Sequence, residues 1–172
     1  MRNMLVLGLD PGLASTGYGL VRGDGQELEM IAYGVIRTPA AERIEERLVL
    51  LHRELSEVIA AYRPDVAAVE EVFFGANART ALAVGQARGV LLLTLAEAGL
   101  PIAEYTPPQV KQSVTGYGRA EKSQVQRMVA TLLGLNDTPR PDDAADALAV
   151  SICHQHSAWL AALSKAQERL EQ

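Results

Sequence analysis

Residues 4–37 read MLVLGLDPGLASTGYGLVRGDGQELEMIAYGVIR, and this stretch decides the fold. Met4–Asp10 is short and apolar and stops at Pro11-Gly12, the pattern of a buried strand. Gly17–Arg22 and Leu28–Arg37 read as two further strands, with Gly23-Asp24-Gly25 as the hairpin turn between them. The chain therefore begins as a three-stranded antiparallel meander.

Beyond the meander, Ile44, Leu48, Leu51, Leu55, Val58 and Ile59 recur at helical spacing, which predicts a helix over 41–62 ended by Arg63-Pro64. Val66–Val69 is a short buried strand running into Glu70-Glu71. Residues 77–99 are rich in alanine and leucine and read as a helix. Pro101–Tyr105 is a further strand, and Pro107-Pro108 opens a short helix to about Val114, broken at Gly116-Tyr117-Gly118. Helices are expected over 121–134, 142–156 and 158–171, with Trp159 anchoring the start of the last. Strands followed by alternating helices and strands predict an α/β fold: a mixed five-stranded sheet, meander plus parallel strands, flanked by helices.

The chain has 172 residues, and a prior of about 150 residues per domain predicts one domain over 1–172. Hydrophobic residues make up 48% and charged residues 22%, which excludes a disordered or fibrous chain. The longest apolar run, Gly89–Leu100, is interrupted by Thr94 and Glu97, so no membrane span is expected. Met4–Leu9 is too short for a signal-peptide core. A single cysteine, Cys153, excludes an internal disulfide and a cysteine-based zinc cluster. A cytoplasmic protein is the expectation.

The net charge is −5, which by itself argues against nucleic acid. Its distribution argues differently. Residues 105–131 carry Lys111, Arg119, Lys122 and Arg127 against Glu121 alone, and two of the chain's three lysines fall there.

Carboxylates carry the chemical signal. Asp10 ends a buried strand, and Glu70 or Glu71 ends another. A buried charge is costly unless paired or metal-bound. In DDAADALAVSI, Asp146 shares a helical face with Asp143 at spacing three and with Asp142 at spacing four, among alanines and leucine. Strand alternation does not separate Glu70 from Glu71, because the strand is apolar on both sides. Asp142 and Asp143 both suit a helix N-terminus. Asp10 read alone is as consistent with a turn. Acids at the ends of three separate elements suit metal-assisted hydrolysis. Four carboxylates repel one another, and two divalent ions about 3.5–4 Å apart cancel that charge while holding both reacting oxygens of a phosphodiester.

Four segments stand in order: GLDPGLASTGYGLV, AAVEEVFFGANARTALAVGQARGV, PPQVKQSVTGYGRAEKSQVQRMV and DDAADALAVSICH. Together they resemble the bacterial RuvC family of Holliday-junction resolvases, in the RNase H-like nuclease superfamily, over roughly residues 4–156. The DPG…TGYG opening is unspecific alone; GQARGV and AEKSQVQ combined with DAADALA are specific. The resemblance implies an RNase H-like fold and paired, symmetric, ligatable nicks in four-way DNA junctions during recombination and repair. It places the family's four metal-binding acids on Asp10, Glu70, Asp143 and Asp146, with two Mg²⁺ ions per site and Mn²⁺ as a substitute. It thereby selects Glu70 over Glu71 and Asp143 over Asp142.

It also matches Lys111 and Lys122 to lysines near the scissile phosphate, where each acts as a point charge. On residue type alone, Lys111 could merely solvate its helix and Lys122 could pair with Glu121. Phe73 matches an aromatic laid against junction DNA, where stacking on an unpaired base contributes about 1–3 kcal/mol; Phe74 suits the core. Arg79, Arg88, Arg119 and Arg127 are weaker candidate phosphate contacts, each equally consistent with an ordinary surface residue. The stripe Ala81, Gly85, Gly89 suits either packing on the chain's own sheet or the subunit contact of the family's homodimer. A partnership with the RuvA–RuvB branch-migration machine follows from the resemblance only.

Two readings compete. The strand–Asp–Gly opening also suits an ATP-binding lobe of the actin or sugar-kinase type, although such proteins need two lobes. A non-catalytic junction-binding subunit would have no use for four clustered acids beside DNA phosphates. Cys153 reads as a small buried helix residue, and His52, His154 and His156 show no metal-ligand spacing.

Overall fold

A computed structural model describes residues 3–72 and 78–170. Strands β1 (Met4–Asp10), β2 (Ser15–Gly23) and β3 (Leu28–Arg37) form the antiparallel meander. Helix α1 (Ile44–Tyr62) leads to β4 (Val66–Glu70), and α2 (Ala78–Glu97) to β5 (Ile102–Tyr105). Helices α3 (Pro107–Thr115), α4 (Lys122–Leu132) and α5 (Asp142–Leu170) complete the described chain. The sheet order is β3-β2-β1-β4-β5, with β4 parallel to β1 and β5 parallel to β4.

Alternation along the strands divides the core in two. Leu5, Leu7 and Leu9 of β1 and Ala67 and Val69 of β4 pack with Leu51 and Leu55 of α1 and Leu91 and Leu95 of α2. Val6 of β1 and Val66 and Ala68 of β4 face the other way, onto Val110, Val125, Val129, Leu148 and Ile152 of α3, α4 and α5. Ile44, expected on the buried face of α1, is 38% exposed because the helix starts there.

Helix α5 corrects one expectation. Residues 142–170 form one helix of 29 residues, not two. The sequence around Ser157-Ala158 has no glycine or proline to break it, and the Ser157 hydroxyl donates back to the Cys153 carbonyl at 2.8 Å, within the helix. Trp159 therefore lies mid-helix, where its Cβ and Cγ abut Gly25 in the β2–β3 turn.

What fixes α5 against the sheet is a stripe at spacing four: Asp143, Ala147, Ser151, Gln155 and Trp159. Four helical residues rise roughly 6 Å, and two strand residues roughly 6.6 Å, so the stripe keeps step with alternate residues of β1 and β2. A Cβ on Gly17 would strike the Asp143 carbonyl, and one on Gly8 the Ala147 carbonyl. A Cβ on Gly19 would sit 2.8 Å from the Leu148 amide nitrogen. Gly8, Gly17 and Gly19 are thus the flat bed on which α5 lies. Further along, the Ser151 hydroxyl donates to Gly19 O at 2.8 Å, and the Gln155 amide donates to Met4 O at 2.8 Å and Val21 O at 3.1 Å. These two buried polar side chains secure the helix to both strands.

Gly17→Ala should therefore lower stability by about 1–3 kcal/mol, since the clash is with backbone that cannot swing aside. Gly85→Ala, where a Cβ meets nothing among the described residues of the chain itself within 4 Å, should be neutral or slightly stabilising for the subunit at concentrations too low for pairing, because alanine is the better helix former. Urea titration of both variants checks the contrast.

Candidate active site

Strands β1 and β4 run in parallel with Leu9 opposite Val69, so Asp10 and Glu70 follow at the same sheet edge. Asp10 has the parity of Val6, and Glu70 that of Val66 and Ala68, the residues that face α5. This register separates the two glutamates. Glu70 completes the α5-facing series, whereas Glu71 lies one residue past β4, its amide donating to Tyr105 O at 2.8 Å.

Asp143 and Asp146 come from the first turns of α5. Gly17 is the ladder partner of Asp10 and also the glycine beneath the Asp143 carbonyl. One close approach thereby sets the distance between the acid on the strand and the acids on the helix. Carboxylate oxygens of Asp10, Asp143 and Asp146 all lie within 4.8 Å of one another. Glu70 is not in that tight group; it lines the adjoining cleft of about 220 Å³ with Lys111, Lys122 and Asp146. Asp142 turns elsewhere, accepting from Arg140 Nη1 at 2.7 Å.

The electrostatics register this crowding. Burial, then the charges of Glu70, Asp146 and Asp143, push the Asp10 carboxyl up to about 8, with Lys122 opposing. Burial and Asp146 push Glu70 up to about 7 against the pull of Lys111 and Lys122. Asp146 is also raised, chiefly by burial, although Lys122 draws it down. The site therefore holds more negative charge than its surroundings neutralise. Its donors are hard carboxylate oxygens, the set that suits Mg²⁺, Mn²⁺ or Ca²⁺. The residues fit a divalent cation.

Lys122 does not pair with Glu121. Its Nζ lies 2.8 Å from Asp146 Oδ2 and 3.7 Å from Asp142 Oδ2. Burial would lower this ammonium's pKa, but the hydrogen bond to Asp146 and the charges of Asp146, Asp142 and Asp10 raise it overall. Lys111 lines the same cleft from α3.

Among the arginines, Arg88 is engaged by Glu104, while Arg79, Arg119 and Arg127 are exposed. Phe73 and Phe74 lie outside the described residues. Gly85 and Gly89 do not pack on the chain's own sheet, since a Cβ on either meets nothing within 4 Å among the described residues. The histidines are taken up elsewhere: His52 by Thr94 at 2.9 Å, His154 by the Tyr105 hydroxyl at 2.9 Å and His156 by Ser113 at 3.2 Å. Cys153 is buried, as expected. No helix among the described residues is long and apolar enough to cross a membrane.

Sequence reasoning missed the Arg140–Asp142–Lys122 arrangement and the Ser151/Gln155 tether. The tether had a signal, polar residues at spacing four in an otherwise apolar helix. The arrangement had none, since it depends on where α4 meets α5.

A mixed five-stranded sheet with acids at one strand edge and at the start of the helix across it defines an RNase H-like nuclease. The family model "Crossover junction endodeoxyribonuclease RuvC" matches residues 6–154. The crossover junction endodeoxyribonuclease RuvC of Syntrophomonas wolfei is 57% identical over 154 residues, 90% of this chain and 90% of the relative. That of Heliobacterium modesticaldum is also 57% identical, over 90% of this chain and 95% of its own. The solved structure "T. thermophilus RuvC in complex with Holliday junction substrate" is 39% identical with a TM-score of 0.88, covering 92% of this chain and 96% of that one. The chain belongs to the crossover junction endodeoxyribonuclease RuvC family, and the nucleotide-binding reading is set aside.

The raised acids predict a pH dependence. Asp10 moves from 3.8 to about 8 on folding and Glu70 from 4.5 to about 7. Between those values the folded state binds more protons than the unfolded one, so stability falls as pH rises. The contribution is fully present below about pH 4 and lost once pH passes about 8. In EDTA the melting temperature should fall from pH 5 to pH 8. Asp10→Asn should flatten that slope and melt higher than wild type at pH 8. Thermal melts across the range check both.

Proposed function

We propose that this chain is a single nuclease domain that acts in the cytoplasm as a two-fold homodimer, each subunit nicking one of two like strands of a four-way DNA junction. The observation that carries the reading is the convergence of Asp10, Asp143 and Asp146 to within 4.8 Å beside a cleft lined by Glu70, Lys111 and Lys122.

Asp10, Glu70, Asp143 and Asp146 would hold two divalent cations, Mg²⁺ or Mn²⁺. When bound, such ions supply the charge that activates a water and stabilises the leaving 3′ oxygen. The protein's part is to fix where that charge sits. The rigid sheet edge sets Asp10 and Glu70. The glycine bed sets Asp143 and Asp146. Lys111 and Lys122, on the cleft's α3 and α4 side, meet the scissile phosphate as point charges. Phe73 stacks on an unpaired base, and Arg79 and Arg119 contact the phosphate backbone. The acidic net charge does not conflict with this, because cations reverse the sign of the site where phosphate enters.

For the dimer, the support is α2. Its core side holds Ala87, Leu91 and Leu95. The opposite side carries Leu82 and Leu93, exposed at 65% and 56%, with the bare Gly85 and Gly89 between them. An apolar stripe with glycines at its centre admits close approach of a second copy, and a two-fold axis suits a junction's own symmetry. The RuvA–RuvB machine is the partner that the family resemblance suggests.

A synthetic mobile junction and a matched linear duplex, incubated with Mg²⁺, Mn²⁺ or EDTA, test the reading. Paired ligatable nicks should form in the junction alone and only with metal. Asp10→Asn or Asp146→Asn should lower the rate by about 10²–10⁴-fold, the several kcal/mol that metal charge contributes. Leu82→Glu, which charges the α2 face, should leave unpaired single nicks at most. Tight junction binding by wild type with no nicks would favour the non-catalytic subunit.

A further inference from the structure

We propose that Asp142 is a positioning residue, the seat to which Lys122 moves when Asp146 is given to a cation; this rests on the metal-centre reading above. The Lys122 ammonium lies 2.8 Å from Asp146 Oδ2. Asp146 is also one of the three acids that converge to within 4.8 Å. An oxygen lone pair engaged by an ammonium is not offered to a metal ion, and an ammonium and a dication at that distance repel. Asp146 Oδ1 stays open to a cation, but the repulsion favours Lys122 leaving Oδ2 for another anion as the site fills.

Asp142 is placed for this. Its Oδ2 is 3.7 Å from Lys122 Nζ, while its Oδ1 accepts from Arg140 Nη1 at 2.7 Å. Arg140 thereby holds one oxygen, while the other stands within ion-pair range of the lysine, with the Gln126 amide also against the carboxylate. Closing to an ordinary charge-assisted distance of about 2.8 Å takes a shift of about 1 Å, within the reach of lysine side-chain torsions. Lys122 and Asp142 side chains are 52% and 44% exposed. A pair so solvated contributes little to stability. What it sets is location: the ammonium stays at the mouth of the cleft, against the path of a phosphate, and Asp146 is released to the metal. Asp142 also stands in the first turn of α5, where any carboxylate interacts favourably with the helix dipole. The test must separate these two roles.

Calorimetric titration of Ca²⁺ into the metal-free full chain does so without any cleavage readout. Asp142→Asn should weaken Ca²⁺ binding by about 5–10-fold, because Lys122 then has no seat but Asp146. Lys122→Met should bind at least as tightly as wild type. The double variant should match Lys122→Met within about 2-fold, the mark of full coupling. Asp142→Glu should recover most of the loss. Arg140→Gln, which leaves Asp142 charged but unclamped, should show a smaller loss that also vanishes beside Lys122→Met. If Asp142→Asn costs the same fold in the Lys122→Met background, Asp142 acts only through its charge or the helix dipole and the proposal is overturned. A wild-type chain that takes up no Ca²⁺ overturns the metal-centre reading and this proposal together.

Discussion

The close seating of α5 on β1 and β2 is the constraint on which the rest depends. Helix packing against a sheet ordinarily leaves a layer of side chains between the backbones. Here Gly8, Gly17 and Gly19 remove that layer, and the helix backbone rests on the strands. The stripe Asp143, Ala147, Ser151, Gln155 and Trp159 matches the strand repeat and holds the helix in one register. A slip of one residue would turn Asp143 and Asp146 away from Asp10. The same contact thus serves the core and the site.

That geometry has an electrostatic cost. Asp10, Asp143 and Asp146 are brought together where burial and mutual repulsion both favour protonation, with Glu70 beside them. The N-terminus of α5 offsets part of the charge through its dipole, and Lys122 offsets part through Asp146. The remainder is left for a cation. A site fully neutralised by protein groups would be more stable and would have no use for metal. The incomplete compensation at Asp10 leaves the site suited to a divalent cation, which is what the proposed phosphodiester chemistry needs.

Much of this was legible in the sequence. The meander, the alternation of helices with β4 and β5, and the acids at element ends follow from apolar periodicity and turn residues. Other features needed the third dimension. The choice of Glu70 over Glu71 rests on strand parity relative to α5, which an all-apolar VAAV does not reveal. The pairing of Lys122 with Asp146 links α4 to α5 across 24 residues, a contact the sequence could not offer, where Glu121 was only the adjacent alternative. The two helices expected at the C-terminus merge into one because nothing between His156 and Ala158 breaks the hydrogen-bond ladder. Gly17 and Gly19 lie inside β2, as the strand reading of Gly17–Arg22 expected, but nothing in the sequence explains why glycine stands there. Their role is absence of a side chain, a signal visible only once the overlying helix is known.

If helix seating builds the proposed metal centre, the acid cluster holds two divalent cations. The most direct measurement is anomalous scattering from crystals of the full chain soaked in Mn²⁺. Two peaks about 3.5–4 Å apart are expected, ligated by Asp10, Glu70, Asp143 and Asp146. Lys122 Nζ would then lie closer to Asp142 than to Asp146. Crystals without a peak at these four carboxylates, or with manganese bound only elsewhere, would contradict it.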